Sequence, residues 1–320
     1  MDIRRVGALL GGVGLLLTAG CQADGSESAP AASAAASAAA AKAAPTGPYV
    51  ALGDSYTAGV RIAPQTGTPA GCTRSGANYP SLVARALGLS GQAFTDVSCS
   101  GATTRDLTGA QRTGDGTNGP QLDALSPATR LVTLGIGGND AGFAEVLGRC
   151  AEEGLKRSLV AGLTGEPTAD SPCRGHYTGA DGRDQLQQRV DAVGERLGEL
   201  LREVKRRSPQ ARVYVVGYPE LLPADPASCG ATLGRSVAAG DIAFLNEKEQ
   251  QLNAMLRQRA EAAGAGYVDT YAPSSGHDMC AGEANRWIEP PFPAHGLAPV
   301  HPNAVGQQGM AAAVLQAVRA

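Results

Sequence analysis

From residue 49 onward, short apolar runs alternate with longer stretches in which apolar residues recur every three or four positions. Tyr49-Val50-Ala51-Leu52, residues 94–97, 131–134 and 213–216, and Tyr267-Val268 have the length and β-branched content of buried strands, and several stop at Gly or Ser. Residues 79–87, 183–207 and 242–263 carry helical spacing, and the second stops at Ser208-Pro209, where a proline ring cannot continue a helix. Strand, helix, strand in that order predicts a parallel sheet covered by helices on both faces. There is no internal repeat. Ligands of such sheets bind outside the carboxyl ends of the strands, which makes the residues after each strand the first candidates for chemistry.

The start of the chain follows a different pattern. Arg4 and Arg5 precede an apolar stretch, residues 6–17, that is too short to span a bilayer, and Ala19-Gly20 supplies small residues before a cleavage point. This reads as an export leader over residues 1–20. Leu17-Thr18-Ala19-Gly20-Cys21 resembles a bacterial lipobox, in which the cysteine is acylated and becomes the new N-terminus; the alternative is an ordinary signal peptide with an incidental cysteine. Residues 28–44 hold 12 alanines in 17 positions with no apolar face to bury, so residues 21–47 read as a tether and 48–320 as one folded domain. The protein is expected outside the cytoplasm, lipid-anchored through Cys21 or secreted.

Composition supports a packed domain. Hydrophobic residues make up 43% and charged ones only 18% of 320, too apolar for a solvated disordered chain. The 43 glycines and 20 prolines, against four Phe and one Trp, describe a loop-rich chain with a core of Ala, Val and Leu. A formal charge of −3 leaves no basic surplus for phosphates, so no nucleic acid partner is expected. No segment after the leader has the about 18 consecutive apolar residues of a membrane span, so contact with a membrane is expected through the lipid anchor alone. A monomer is expected.

Setting Cys21 aside leaves Cys72, Cys99, Cys150, Cys173, Cys229 and Cys280, an even number in an oxidising compartment, which predicts three disulfides. Six cysteines allow 15 connectivities. Each reads as lying in or beside a loop, and sequential pairing closes the smallest rings, a weak criterion by itself. His277 three residues before Cys280 raises a zinc site as a competitor, but no second CxxC or HxxxH completes a ligand set, and no metal is expected.

The first strand runs into Gly53-Asp54-Ser55-Tyr56-Thr57-Ala58-Gly59. A serine directly after a buried strand, with glycines that permit a sharp turn, is where an exposed nucleophile sits. The alternative is that Asp54 or Ser55 is a helix N-cap. The second strand ends in Ser98-Cys99-Ser100-Gly101-Ala102-Thr103-Thr104 and the third in Gly135-Ile136-Gly137-Gly138-Asn139-Asp140; Val300-His301-Pro302-Asn303 lies near the C-terminus. Singly, Asn139 could cap a helix starting near Asp140 and Gly101 could serve only its turn. His176 and His295 stand in polar or Pro-rich loops and read as exposed.

Together these blocks resemble the GDSL, or SGNH, family of serine hydrolases, which is named for a nucleophilic Ser, an oxyanion-hole Gly, an oxyanion-hole Asn and a base His. Ser55, Gly101, Asn139 and His301 occur in that order, and the resemblance runs from about Tyr49 to the C-terminus. Trp287 with the 277–280 stretch is similar to the secreted actinobacterial branch carrying three disulfides. The resemblance implies a three-layer α/β/α sandwich with a mostly parallel, flavodoxin-like five-stranded sheet. For the cystines it implies Cys72 with Cys99, Cys150 with Cys173, and Cys229 with Cys280. For chemistry it implies Ser55 as nucleophile, His301 as base, and an oxyanion hole of the Ser55 and Gly101 amides with the Asn139 side chain.

Two positions depart from the pattern. Tyr56 stands where the name-giving Leu would follow the serine, a change expected to affect packing or the acyl pocket. Ala298 stands three residues before the histidine, where many members have an Asp that orients the imidazole, and Glu283 and Glu289 lack that spacing. A Ser55–His301 dyad is therefore expected, with the Ala298 carbonyl accepting the Nδ1 proton. The function implied is a lipase or esterase acting on acyl esters or lipids without a cofactor. The alternatives are a polysaccharide O-deacetylase on the same machinery and a non-catalytic envelope-binding lipoprotein.

Overall fold

The computed structural model describes residues 47–165, 170–179, 181–234 and 236–320. The expected leader, Cys21 and the tether through residue 46 lie outside the described residues. Among the described residues there are seven strands: β1 (Tyr49–Gly53), β2 (Phe94–Asp96), β3 (Gln111–Thr113), β4 (Gly116–Asn118), β5 (Leu131–Gly135), β6 (Arg212–Val216) and β7 (Gly266–Val268). Five of them form one sheet in the order β2-β1-β5-β6-β7, every neighbouring pair parallel. Each crossover therefore needs covering structure, and the order is flavodoxin-like. The short antiparallel hairpin β3-β4 stands apart and is absent from the apolar pattern, because its strands expose mostly polar side chains.

Along the chain the helices are α1 (Ser55–Ala58), α2 (Tyr79–Ala86), α3 (Gly138–Ala141), α4 (Phe143–Thr164), α5 (Pro172–Tyr177), α6 (Gln185–Arg207), α7 (Gly230–Leu233), α8 (Ala239–Ala262) and α9 (Ala304–Arg319). The sheet explains their distribution. β1 and β5 are buried at every position, as strands covered on both faces must be. Val50, Leu52, Val132, Leu134, Val213 and Val215 point to one face and pack with α6 and α8. Tyr49, Ala51, Leu131, Tyr214 and Val216 point to the other and pack with α2 and α9. That is the three-layer sandwich.

α6 shows how local sequence sets an element. Asp184 caps it by accepting from the Leu186 and Gln187 amides, both at 3.0 Å, and it ends at Ser208 before Pro209. Its Val190, Val193, Leu197, Leu201 and Val204 are buried, each contributing on the order of 1.5–3 kcal/mol relative to exposure. α4 was not visible in the spacing. Only Val146, Cys150 and Gly154 of its 22 residues are buried, so it lacks a sheet-facing stripe.

The cysteines pair as Cys72–Cys99, Cys150–Cys173 and Cys229–Cys280. Cys150 lies well inside α4, a correction to the expectation that each cysteine sits in or beside a loop, while Cys173 is the second residue of α5, next to the loop before it. Their bond clips α4 to α5 around a satellite core with Tyr177, Leu222, Phe244 and Met279.

Candidate active site

β1 delivers Ser55 to the carboxyl edge of the sheet. A Cβ on Gly53 would stand 2.3 Å from Thr57 Oγ1 and 2.5 Å from the Gly135 carbonyl, so the strand can turn there only with glycine. The Gln121 side chain holds both sides of that residue, accepting from the Gly53 amide at 2.7 Å and donating to its carbonyl at 2.9 Å. Ser55 then opens α1, and Asp54 is its N-cap, accepting from the Tyr56 amide at 3.0 Å. The other Asp54 oxygen accepts from Tyr218 Oη at 2.6 Å, while Tyr218 Oη accepts from the Gly138 amide at 2.8 Å. This chain ties the end of β1 to the turn after β5. Burial pushes the Asp54 carboxyl up to about 7 against the pull of the Tyr218 bond.

α3 begins after β5 and carries Asn139 and Asp140. Asn139 Nδ2 donates to the Ala102 carbonyl at 2.9 Å, and Asp140 accepts from the Thr104 amide at 2.9 Å and Thr104 Oγ1 at 2.5 Å. Asp140 thus fastens the loop that contains Gly101 instead of facing the reacting centre. Gln111 Nε2, from β3, donates to the Ser100 carbonyl at 2.8 Å, which gives the hairpin a role in holding that loop. The amides of Ser55 and Gly101 have no acceptor among the described residues.

His301 precedes α9, and its Nε2 lies 2.8 Å from Ser55 Oγ. Its Nδ1 donates to the Pro299 carbonyl at 2.6 Å. That bond fixes the tautomer, leaving Nε2 to accept from the serine hydroxyl. The acceptor is Pro299, not Ala298, which is buried one residue too early. The cause is Val300. Its backbone is left-handed at φ 56°, unusual for a β-branched residue, and the turn there brings the Pro299 carbonyl within reach of Nδ1. Two bonds hold Val300 there: its amide donates to the Glu289 carbonyl at 3.0 Å and its carbonyl accepts from Tyr56 Oη at 2.7 Å. Tyr56 therefore supports the histidine loop, and its ring packs 5.1 Å from the imidazole.

The Glu289 carboxylate pairs with Arg286 at 3.0 Å and accepts from Asn303 Nδ2 at 2.9 Å, away from His301 Nδ1. His301 titrates below its ordinary value, because burial disfavours the charged ring and Arg61 adds a repelling charge, against the raising effect of the Pro299 bond. His176 and His295 are exposed, while His277 Nδ1 bonds the Asn285 carbonyl and its ring stacks on Trp287.

A cavity of about 720 Å³ opens beside these groups, with Ser55, Asn139 and His301 on its wall. Gly101 does not line it. The remainder is mostly apolar: Phe143, Leu147 and Leu155 come from α4, Leu245 and Leu252 from α8, and Met279 and Phe292 from loops. α4 thus turns its apolar side chains to the cavity.

The GDSL-like lipase/acylhydrolase family model matches residues 51–308. The chain belongs to this family. It is 43% identical to Lipase 2 of Streptomyces coelicolor over 270 residues, 83% of this chain and 84% of that one, and 35% identical to an esterase of Streptomyces scabiei over 75% and 74%. Among solved structures, phospholipase A1 from Streptomyces albidoflavus superposes with a TM-score of 0.66 at 29% identity, covering 86% of this chain and 99% of that one. An extracellular lipase from Streptomyces rimosus gives 0.65 at 28% identity, covering 85% and 99%. The family membership makes the chain a serine carboxylester hydrolase.

Proposed function

We propose that Ser55 and His301 form a catalytic dyad that hydrolyses acyl esters whose acyl chain occupies the apolar cavity. His301 Nε2 takes the Ser55 hydroxyl proton as Oγ attacks the ester carbonyl carbon. The negative charge on the carbonyl oxygen meets the amide N–H groups of Ser55 and Gly101 and the second Nδ2 hydrogen of Asn139. The C–O bond to the alcohol then breaks, the imidazolium returns its proton to the departing oxygen, and water repeats the sequence on the acyl-enzyme. The observation that carries this reading is the 2.8 Å contact of Nε2 with Oγ while Nδ1 is held by a neutral carbonyl.

The cavity favours an acyl chain longer than acetyl, since a polysaccharide deacetylase has no use for an apolar hollow of this size. Leu155 and Phe292 line it and remain 54% and 93% exposed, an apolar rim suited to lipid esters. Export through the 1–20 leader and acylation at Cys21 belong to the same proposal, with the enzyme acting as a monomer outside the cytoplasm. Among the described residues no helix is long and apolar enough to cross a membrane. Rates on p-nitrophenyl esters of rising chain length test the reading. A kcat/KM that climbs beyond the acetate supports it; activity confined to acetyl esters refutes it.

A further inference from the structure

Away from the reacting centre the wall of the acyl cavity is mostly apolar, with one buried carboxyl among the described residues. Leu245, Glu249 and Leu252 follow one another on α8 at four- and three-residue spacing, so they share one helix face, and all three line the cavity. The two leucines suit such a wall. A carboxyl does not, because burying it removes its water without replacing the hydrogen bonds it made there. Glu249 is nonetheless only 1% exposed.

Half of that carboxyl is engaged. Oε2 accepts from the Leu221 amide at 3.0 Å, while Oε1, buried as well, has no hydrogen-bond partner among the described residues. The acids around it are occupied: Glu220 accepts from the Gly276 amide and from Tyr271 Oη, each at 3.2 Å, and Asp278 accepts from the Cys280 amide at 2.8 Å. Burial, and then the charges of Glu220 and Asp278, push the Glu249 carboxyl well above its ordinary range, which favours its neutral form. A neutral carboxyl offers an O–H donor and spare lone pairs. A plain alkyl chain in the cavity answers neither and leaves a buried polar atom without a bond. A hydroxyl on the chain answers both, since it can accept from the carboxyl and donate to it.

We propose that Glu249 is a specificity-determining residue that binds a hydroxyl borne on the acyl chain, so that the preferred substrates are esters of hydroxylated fatty acids. The inference rests on the Ser55–His301 reading with the acyl chain in this cavity, and it adds the chemistry of that chain. The hydroxyl takes no part in the reaction. Hydrolysis releases the hydroxy acid and the alcohol.

The test follows acid release from methyl decanoate and from methyl hydroxydecanoates with the hydroxyl at each carbon from the third to the ninth, all below their aggregation concentrations. One isomer, or two adjacent ones, exceeds the parent ester in kcat/KM at least about tenfold. Glu249→Leu brings that ratio to within about twofold of one, and Glu249→Gln, which keeps a donor and an acceptor, retains most of it. Infrared difference spectra give a readout that does not depend on the leucine variant folding. The C=O stretch of the protonated carboxyl, identified by its loss in Glu249→Gln, shifts when the matching hydroxydecanoate binds and stays in place when decanoate binds. A parent ester as good as every isomer overturns the proposal, as does a preference that survives Glu249→Leu or a band that the hydroxydecanoate leaves unshifted. If the wild type hydrolyses none of these esters and no p-nitrophenyl ester, the dyad reading itself falls. Hydrolysis of all of them at equal rates removes only the hydroxyl site.

Discussion

His301 is oriented by a carbonyl, and a neutral acceptor stabilises an imidazolium less than a carboxylate does. With burial and Arg61 lowering its pKa, the ring stays neutral to more acid pH than free histidine, so the acid limb of kcat/KM has its midpoint below about 6.5. A pH–rate profile with a midpoint clearly above that value would point to a carboxylate partner. In the proposed mechanism Asn139 acts only when charge develops on the carbonyl oxygen. Asn139→Ala is expected to lower kcat by about 10²- to 10³-fold with little change in KM, measurable by steady-state kinetics. Ser55, Asn139 and His301 could be picked out of the sequence because each ends a recognisable block. Gln121, Tyr218 and Val300 could not. Their roles depend on a residue 68 or 164 positions away, or on a left-handed backbone that no side-chain pattern announces.

At the scale of elements, the five strands of the main sheet and the sheet-covering helices α6 and α8 are visible because their apolar spacing follows from packing in and on that sheet. α4 was hidden because its apolar residues serve the cavity instead, and α9 because alanine and glycine give little contrast along it. If the cavity holds the acyl chain as proposed, α4 sets its length. Leu147 lines the cavity one turn beyond Phe143. A bulkier ring there shortens the space, so Leu147→Trp should lower kcat/KM for decanoyl esters at least about tenfold while acetyl and butyryl esters change by less than about threefold. The p-nitrophenyl ester series reads this directly. An equal loss at every length would mean that the substitution disturbs the site and not the pocket.

For the whole molecule, the buried Asp54 links the site to stability. Its folded-state pKa of about 7 lies above the ordinary value of 3.8, so the folded chain binds the proton more tightly than the unfolded one. The stabilisation from that proton is complete below about pH 3.8 and is lost as pH rises through about 7. Asp54→Asn removes this titration while its amide oxygen can still cap the Tyr56 amide. Denaturant midpoints should show the wild type losing stability relative to Asp54→Asn between pH 4 and 8, by up to about 4 kcal/mol. A gap independent of pH would mean that Asp54 is ionised throughout. The same carboxyl joins the ends of β1 and β5 through Tyr218, so its hydrogen bonds also hold the Ser55 turn against the start of α3.

The account turns on Ser55 being the nucleophile that His301 activates, and covalent trapping reads this most directly. Mass spectrometry after treatment with a fluorophosphonate should find one adduct, on the peptide containing Ser55. That adduct should be absent in Ser55→Ala and should form far more slowly in His301→Ala, with both variants retaining the wild-type circular dichroism spectrum. An adduct on a different residue, or esterase turnover that survives Ser55→Ala, would contradict the account.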